Sequence, residues 1–187
     1  MGLKLITAPA STPVTLAELK AHCRIEDTDS DTELQIYLDA ATEHLDGYTG
    51  TLGRCIVTQT WELVLDKFPS SAILLELGPL QSVTSVKYYD TDGVEQTVDS
   101  ANYTVDTASL HGWVVPDAGF SWPSTLDAVN VVKVRYVAGY TSVPNPLKHA
   151  ILLLAGHWFA HREVMGGEAE MPFAVNALIA SYRVYFP

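Results

Sequence analysis

Apolar and polar positions alternate with two different periods along the chain, and the change of period divides it into three stretches. In the first, Leu16 to about Arg24 reads as a helix. Thr15 stands at its N-cap and Glu18 at the third helical position, a capping box in which each side chain satisfies a backbone donor of the other residue. A second box, Ser30 with Glu33, opens helix two. Its apolar residues Leu34, Leu38, Ala41, Leu45 and Tyr48 step by four and three, which lays one buried stripe along a helix. Gly50 and Gly53 end it.

The period then shortens to two. In "TWELVLDKF", Trp61, Leu63 and Leu65 alternate with Glu62 and Asp66, the pattern of a half-buried strand. "AILLEL" is a further strand, stopped by Gly78-Pro79. "SVTSVKYYDTDGVEQTV" is a hairpin, because Asp92-Gly93 supplies residues that tolerate the positive φ of a tight turn. Short strands follow at "YTVDT", "GWVV" and "AVNVVKVRYVAGY". In the last, Val132, Val134 and Tyr136 face one way and Lys133 and Arg135 the other. The connections are too short for parallel crossovers, so the sheet is expected to be antiparallel.

At Asn145 the helical period returns. Asn145 suits an N-cap, and Pro146 suits the first helical position because its missing donor is not needed there. Helix three is expected from Pro146 to about Val164, stopped by Gly166-Gly167, with a stripe of Leu147, Ile151, Leu154 and Trp158. Helix four follows from Pro172 and buries Val175, Leu178, Ile179 and Tyr182. The expected fold is α+β: a small bundle of about four helices (residues 1–55 and 144–187) with an antiparallel β insertion (56–143) between helices two and three, all in one domain of 187 residues.

Charge narrows the function classes. Lys plus Arg number 11 against 22 Asp plus Glu, a net charge of −11. Such a surface repels phosphate, which argues against gripping duplex DNA on a basic face. The longest apolar run, "AILLLAG", falls far short of a bilayer span. "MGLKLITAPAST" is too weakly apolar for a secretory signal, and Ile6 stands where a myristoylation motif needs Ser or Thr. The two cysteines, Cys23 and Cys55, fit reduced thiols better than a disulfide framework, and no CxxC pair suggests structural zinc.

Candidate chemistry concentrates in "HAILLLAGHWFAHRE". His157 and His161 share a helix face, so a metal could bridge them. Trp158 occupies the place where a zincin carries its general base. His149 lies eight residues before His157, about 12 Å along the axis, too far to complete the ligand set, and Glu163 points elsewhere on the wheel. The competing reading is that these histidines flank a packed stripe. "EDTDSDTE", Glu26 to Glu33, resembles a calcium loop in composition but lacks its central glycine and terminal ligand spacing. Acidic residues at the start of helix two are also what the helix dipole favours. No phosphate-cradling glycine loop or nucleophile elbow occurs. The aromatics Trp61, Tyr88, Tyr89, Tyr103, Trp113 and Trp122 suit either a carbohydrate-binding face or a core and subunit interface. No catalytic, cofactor or metal-ligating set emerges.

A set of segments in fixed order carries a resemblance: "VTLAELKAHCRIE", "LDAATEHLDGYTGTLG", "TQTWELVLDKFP", "LGPLQSVTSVKYYDTDG", "YTVD", "VRYVAGY" and "VPNPLKHAILLLAGHWFAHRE". Together they span nearly the whole chain, and the sequence resembles the head–tail connector, or adaptor, proteins of long-tailed bacteriophages, related prophages and gene transfer agents. The resemblance implies a cyclic ring, dodecameric on the particle, beneath the portal protein. It would seat a head-completion, stopper or tail protein and continue the channel through which DNA passes without tight binding. It implies no enzyme, no cofactor and no membrane, and a path from the host cytoplasm during assembly to the head–tail junction of the virion. A carbohydrate-binding module and a metal-dependent hydrolase using His157 and His161 are the competing classes.

The sequence closes on "SYRVYFP". Large apolar residues without a polar tail need a partner. Two readings stand: Val184, Tyr185 and Phe186 close the bottom of the bundle, or Tyr185 and Phe186, beside Arg183, anchor the chain on a neighbouring ring.

Overall fold

Helix α1 (Leu16–Cys23) forms behind the expected capping box: the Glu18 amide donates to Thr15 Oγ1 (3.2 Å) and the Thr15 amide to Glu18 Oε2 (2.7 Å). Those bonds hold the Glu18 carboxyl below its usual pKa. The computed structural model describes residues 2–161 and 172–184. Replacing Thr15 by alanine removes one half of the box and is expected to cost about 1 kcal/mol, read as a lower denaturation midpoint with unchanged slope.

Helix α2 (Asp31–Leu45) starts after Ser30, but the second box does not form. Ser30 has φ −101° and ψ 8°, outside the extended conformation of a capping residue, and its side chain makes no cap bond. Asp31 is instead paired with Lys20 of α1. Leu34, Leu38, Ala41 and Leu45 are buried as the period requires. The helix ends at Leu45, before either glycine, and leaves Tyr48 47% exposed. The Asp46 carboxylate turns the chain by accepting the Ile56 amide. Helix α3 (Asn145–Ala160) has Pro144, not Asn145, at its N-cap and His161 at its C-cap; the expected end near Val164 and the stop at Gly166-Gly167 fall in residues 162–171, outside those described. Helix α4 (Phe173–Ile179) runs into a single 3-10 turn, Ala180–Tyr182.

The chain divides into two compact units: Met1–Ala10 with Thr58–Gly139, and Ser11–Val57 with Tyr140–Pro187. In the helical unit, Leu19 of α1, Leu38 of α2, Leu147 and Leu154 of α3, and Val175 and Ile179 of α4 meet in one core. Each fully buried leucine there contributes roughly 1.5–3 kcal/mol. Trp158 is only half-buried at the rim of this core, its ring edge-on to His44 of α2 at 5.9 Å.

Among the described residues the other unit holds eight strands: β1 (Gly2–Thr7), β2 (Gln59–Leu65), β3 (Ile73–Leu75), β4 (Leu80–Tyr89), β5 (Glu95–Thr97), β6 (Tyr103–Asp106), β7 (Gly112–Pro116) and β8 (Val132–Ala138). They form a five-stranded sheet in the order β1-β2-β8-β4-β5 and a three-stranded sheet in the order β3-β7-β6, with every pairing antiparallel. Strand β8 is central, and its Val132, Val134 and Tyr136 are all buried. Between β4 and β5, Asp90 builds the turn by accepting the amides of Asp92 and Val94, while Gly93 takes φ +78°.

The fold is α+β with four helices among the described residues, yet the strands do not form a single insertion between helices two and three. Strand β1 precedes α1 and pairs with β2, Leu3 opposite Leu63 and Leu5 opposite Trp61, and the remaining strands divide between two sheets. Residues at the start of the chain, assigned to the helical part from the sequence, therefore carry an edge strand of the sheet. The physical reason is that β1 is an exposed edge whose partner lies far along the chain, so local periodicity gives it little signature.

Candidate interaction surfaces

The histidines of α3 separate into two pairs. His157 and His161 lie with ring centroids 4.4 Å apart, and His161 Nδ1 is 3.0 Å from the His157 carbonyl oxygen, to which it donates when that nitrogen carries the proton. His149 meets His22 of α1 edge-on at 5.8 Å. Glu163 lies outside the described residues. No group of three or more His, Cys, Asp or Glu among the described residues is placed to hold a metal ion. Replacing His157 and His161 together with glutamine is accordingly expected to leave fold and metal content unchanged. Elemental analysis of chelator-free protein checks this: near one equivalent of zinc in the wild type, lost in the double variant, would overturn it.

An open groove of about 530 Å³ lies beside α1, α3 and α4, lined by His22, Cys23, Leu153, Gly156, His157 and Phe159 among others. Burial raises the Cys23 pKa, which favours the thiol over the nucleophilic thiolate. Cys55 is buried, and the two cysteines are not joined in a disulfide. Glu26 to Glu33 forms the connection into α2, with Glu26, Asp27 and Asp29 exposed; the Asp29 amide bonds the Asp27 carboxylate.

The aromatic residues of the strand unit mostly pack on one another or take polar partners. Trp122 stacks on Phe68 at 4.9 Å with planes 3° apart, Phe68 meets Tyr88 at 5.5 Å, and Trp122 lies 6.5 Å from Tyr103. The Trp122 indole donates to the Ser71 carbonyl, and that of Trp61 to Gln59. A sugar-binding platform needs free ring faces, and the stacked faces of Phe68 and Trp122 are already covered by each other.

The opposite face of the five-stranded sheet is charged, a feature strand periodicity only half revealed. Arg135 bonds Glu62 at 2.7 Å, and Glu62 is 9% exposed. Glu95 accepts from Lys87 at 2.9 Å through one oxygen and from Lys133 at 3.5 Å through the other. The Lys87 bond, aided by Lys133, holds the Glu95 carboxyl below its usual pKa. Lys133 also lies 4.8 Å from the centre of the Tyr89 ring.

Of the residues singled out at the C-terminal end, Arg183 is half-buried and donates to Asn176 Oδ1 at 3.2 Å. Val184 is 8% exposed and its amide bonds the Leu52 carbonyl, which ties it into the helical unit. Tyr185 and Phe186 lie outside the described residues. No helix among the described residues is long and apolar enough to cross a membrane.

Known proteins match this architecture. No curated protein sequence matches significantly. Among solved structures, the chain is similar to one in the neck of an empty gene transfer agent (GTA) particle with C6 symmetry, at 24% identity and TM-score 0.81, covering 100% of this chain and 97% of that one. A chain of the native GTA virion gives 24% identity and TM-score 0.77, and one of the native neck with C12 symmetry gives 25% and 0.76, each with the same coverage. The model of the phage gp6-like head-tail connector proteins matches residues 13–111, more than half of the 187, from before α1 to the start of β7. The chain belongs to the phage gp6-like head-tail connector family.

Proposed function

We propose that the protein is the structural head–tail connector of a phage-like or gene transfer agent particle. Copies close into a ring beneath the portal, twelve to the ring on the particle. The ring seats the next head-completion or tail protein and continues the DNA channel. The role is architectural, with no catalytic step, and its place is the neck of the virion after assembly in the host cytoplasm. Both units together make one connector domain.

The observation that carries this reading is the family match over residues 13–111. The full-length likeness to neck chains of particles with C6 and C12 symmetry supports a ring. The net charge of −11 supports a conduit, since a lining that made several phosphate contacts per subunit would hold the duplex in place. Arg183, Tyr185 and Phe186 are the proposed contact to a neighbouring ring, the portal.

The test is deletion of the gene in the particle-producing strain, with electron microscopy of the products. DNA-filled heads without tails, restored by the wild-type chain and showing ring density between head and tail, are expected. Complete tailed particles in the deletion strain would refute the reading.

A further inference from the structure

The charged face of the five-stranded sheet holds more cations than its own carboxylates neutralise. Register places Lys4 opposite Glu62, Glu62 opposite Arg135, and Lys87 opposite both Lys133 and Thr97. These side chains share one face, because directly opposed residues point the same way. Four of the chain's 11 lysines and arginines therefore stand on this face with two carboxylates, Glu62 and Glu95. Each carboxylate sits between two cations, so each trio retains one positive charge. Lys87 and Lys133 are like charges directly opposed, an unfavourable arrangement that Glu95 offsets in part. The face is open: the side chains of Lys87 and Arg135 are each 43% exposed.

The helical unit of the same chain carries the opposite charge in a compact run. Between residues 24 and 33, Arg24 is outnumbered by Glu26, Asp27, Asp29, Asp31 and Glu33; Glu26, Asp27 and Asp29 are exposed, and Asp31 pairs with Lys20 of α1. A cyclic ring needs two different, mutually complementary patches on every subunit, because its contacts are head-to-tail. One chain that carries a cationic sheet face and an acidic loop contains both halves of such a contact.

We propose that the cationic sheet face of one copy docks on the acidic α1–α2 connection of a second copy of this chain, and that this pair of surfaces sets the ring's direction and register. The inference rests on the ring reading above. Duplex DNA is the weaker occupant, since two surplus charges beside the exposed Glu95 make few phosphate contacts on a chain of net charge −11. Facing carboxylates of a neighbouring copy neutralise the surplus, and opposite patches steer subunits into one orientation.

A charge-swap experiment on the full chain tests it, with ring formation read by native mass spectrometry and by electron microscopy of particles. Lys87→Glu with Lys133→Glu, and separately Asp27→Lys with Asp29→Lys, are each expected to weaken ring formation by at least about tenfold. Combining all four substitutions is expected to restore it. Raising salt should weaken the wild-type ring. If the reversed lysine pair disturbs folding by circular dichroism, Lys87→Gln with Lys133→Gln, which removes charge and keeps the stems, is read in its place. Rings unaffected by these variants overturn the inference and leave the ring reading standing. Well-folded variants whose combination restores nothing rule out the acidic loop as the partner and overturn it too. Intact rings that lose DNA retention would assign the face to nucleic acid and overturn it as well. A wild-type chain that forms no ring, free or on particles, removes the ring reading and this contact together.

Discussion

Replacing Tyr136 with alanine is expected to cost about 3–5 kcal/mol, the range for deleting a fully buried aromatic ring. The residue is 0% exposed on β8, the central strand, with Trp61 of β2 opposite it on one side and Val83 of β4 on the other. No solvent-side relaxation can fill the space its ring vacates. A loss of that size approaches the whole stability of a typical domain, about 5–15 kcal/mol. Chemical denaturation followed by far-ultraviolet circular dichroism should show a large fall in midpoint for Tyr136→Ala and a smaller one for Tyr136→Phe, which keeps the ring. An alanine variant with the wild-type midpoint would show that β8 is not the centre of this unit's core. The same strand carries Lys133 and Arg135 outward, so loss of its register is also expected to scatter the charged face.

The sequence disclosed what is settled within a few residues and concealed what depends on distant pairing. The Thr15–Glu18 box was legible because its bonds span one turn. The same motif at Ser30 and Glu33 misled, because the backbone at Ser30 does not adopt the capping conformation and the motif cannot report φ and ψ. Alternation in β8 correctly separated Val132, Val134 and Tyr136 from Lys133 and Arg135, since a strand's two faces follow from its own period. It could not say which strand lies beside which. Strand β1 was missed for that reason: its residues are mostly exposed, and its partner β2 begins at Gln59. The division into sheets of five and three was likewise invisible, as alternation is identical in both. Glu62 read as a solvent-facing residue, yet it is only 9% exposed, and its bond to Arg135 is fixed by a register between residues 73 apart. Trp158 read as core because it lies on the apolar stripe of α3, but the stripe reaches the rim of the bundle there, and His44 covers only its edge.

The double variant Tyr185→Ala with Phe186→Ala is expected to fold normally and to lose docking on the neighbouring ring. The contrast with Val184 motivates it. Val184 is buried at 8% exposure and its amide bonds Leu52, so it serves the helical unit's own core. Val184→Ala should therefore lower stability by about 1 kcal/mol and leave docking intact in the folded fraction. Arg183 is half-buried and spends one guanidinium nitrogen on Asn176. An arginine followed by two aromatics has the composition of an interface hot spot, where each residue is worth about 2–4 kcal/mol of binding. Loss of both aromatic rings should then weaken association by at least about a thousandfold. Binding of the purified variant to portal rings, with circular dichroism and a denaturation midpoint as folding controls, measures this. A variant that unfolds would assign Tyr185 and Phe186 to the core beside Val184. One that folds and binds as the wild type does would leave them with neither role, and the head–tail contact would have to lie on another surface of the connector.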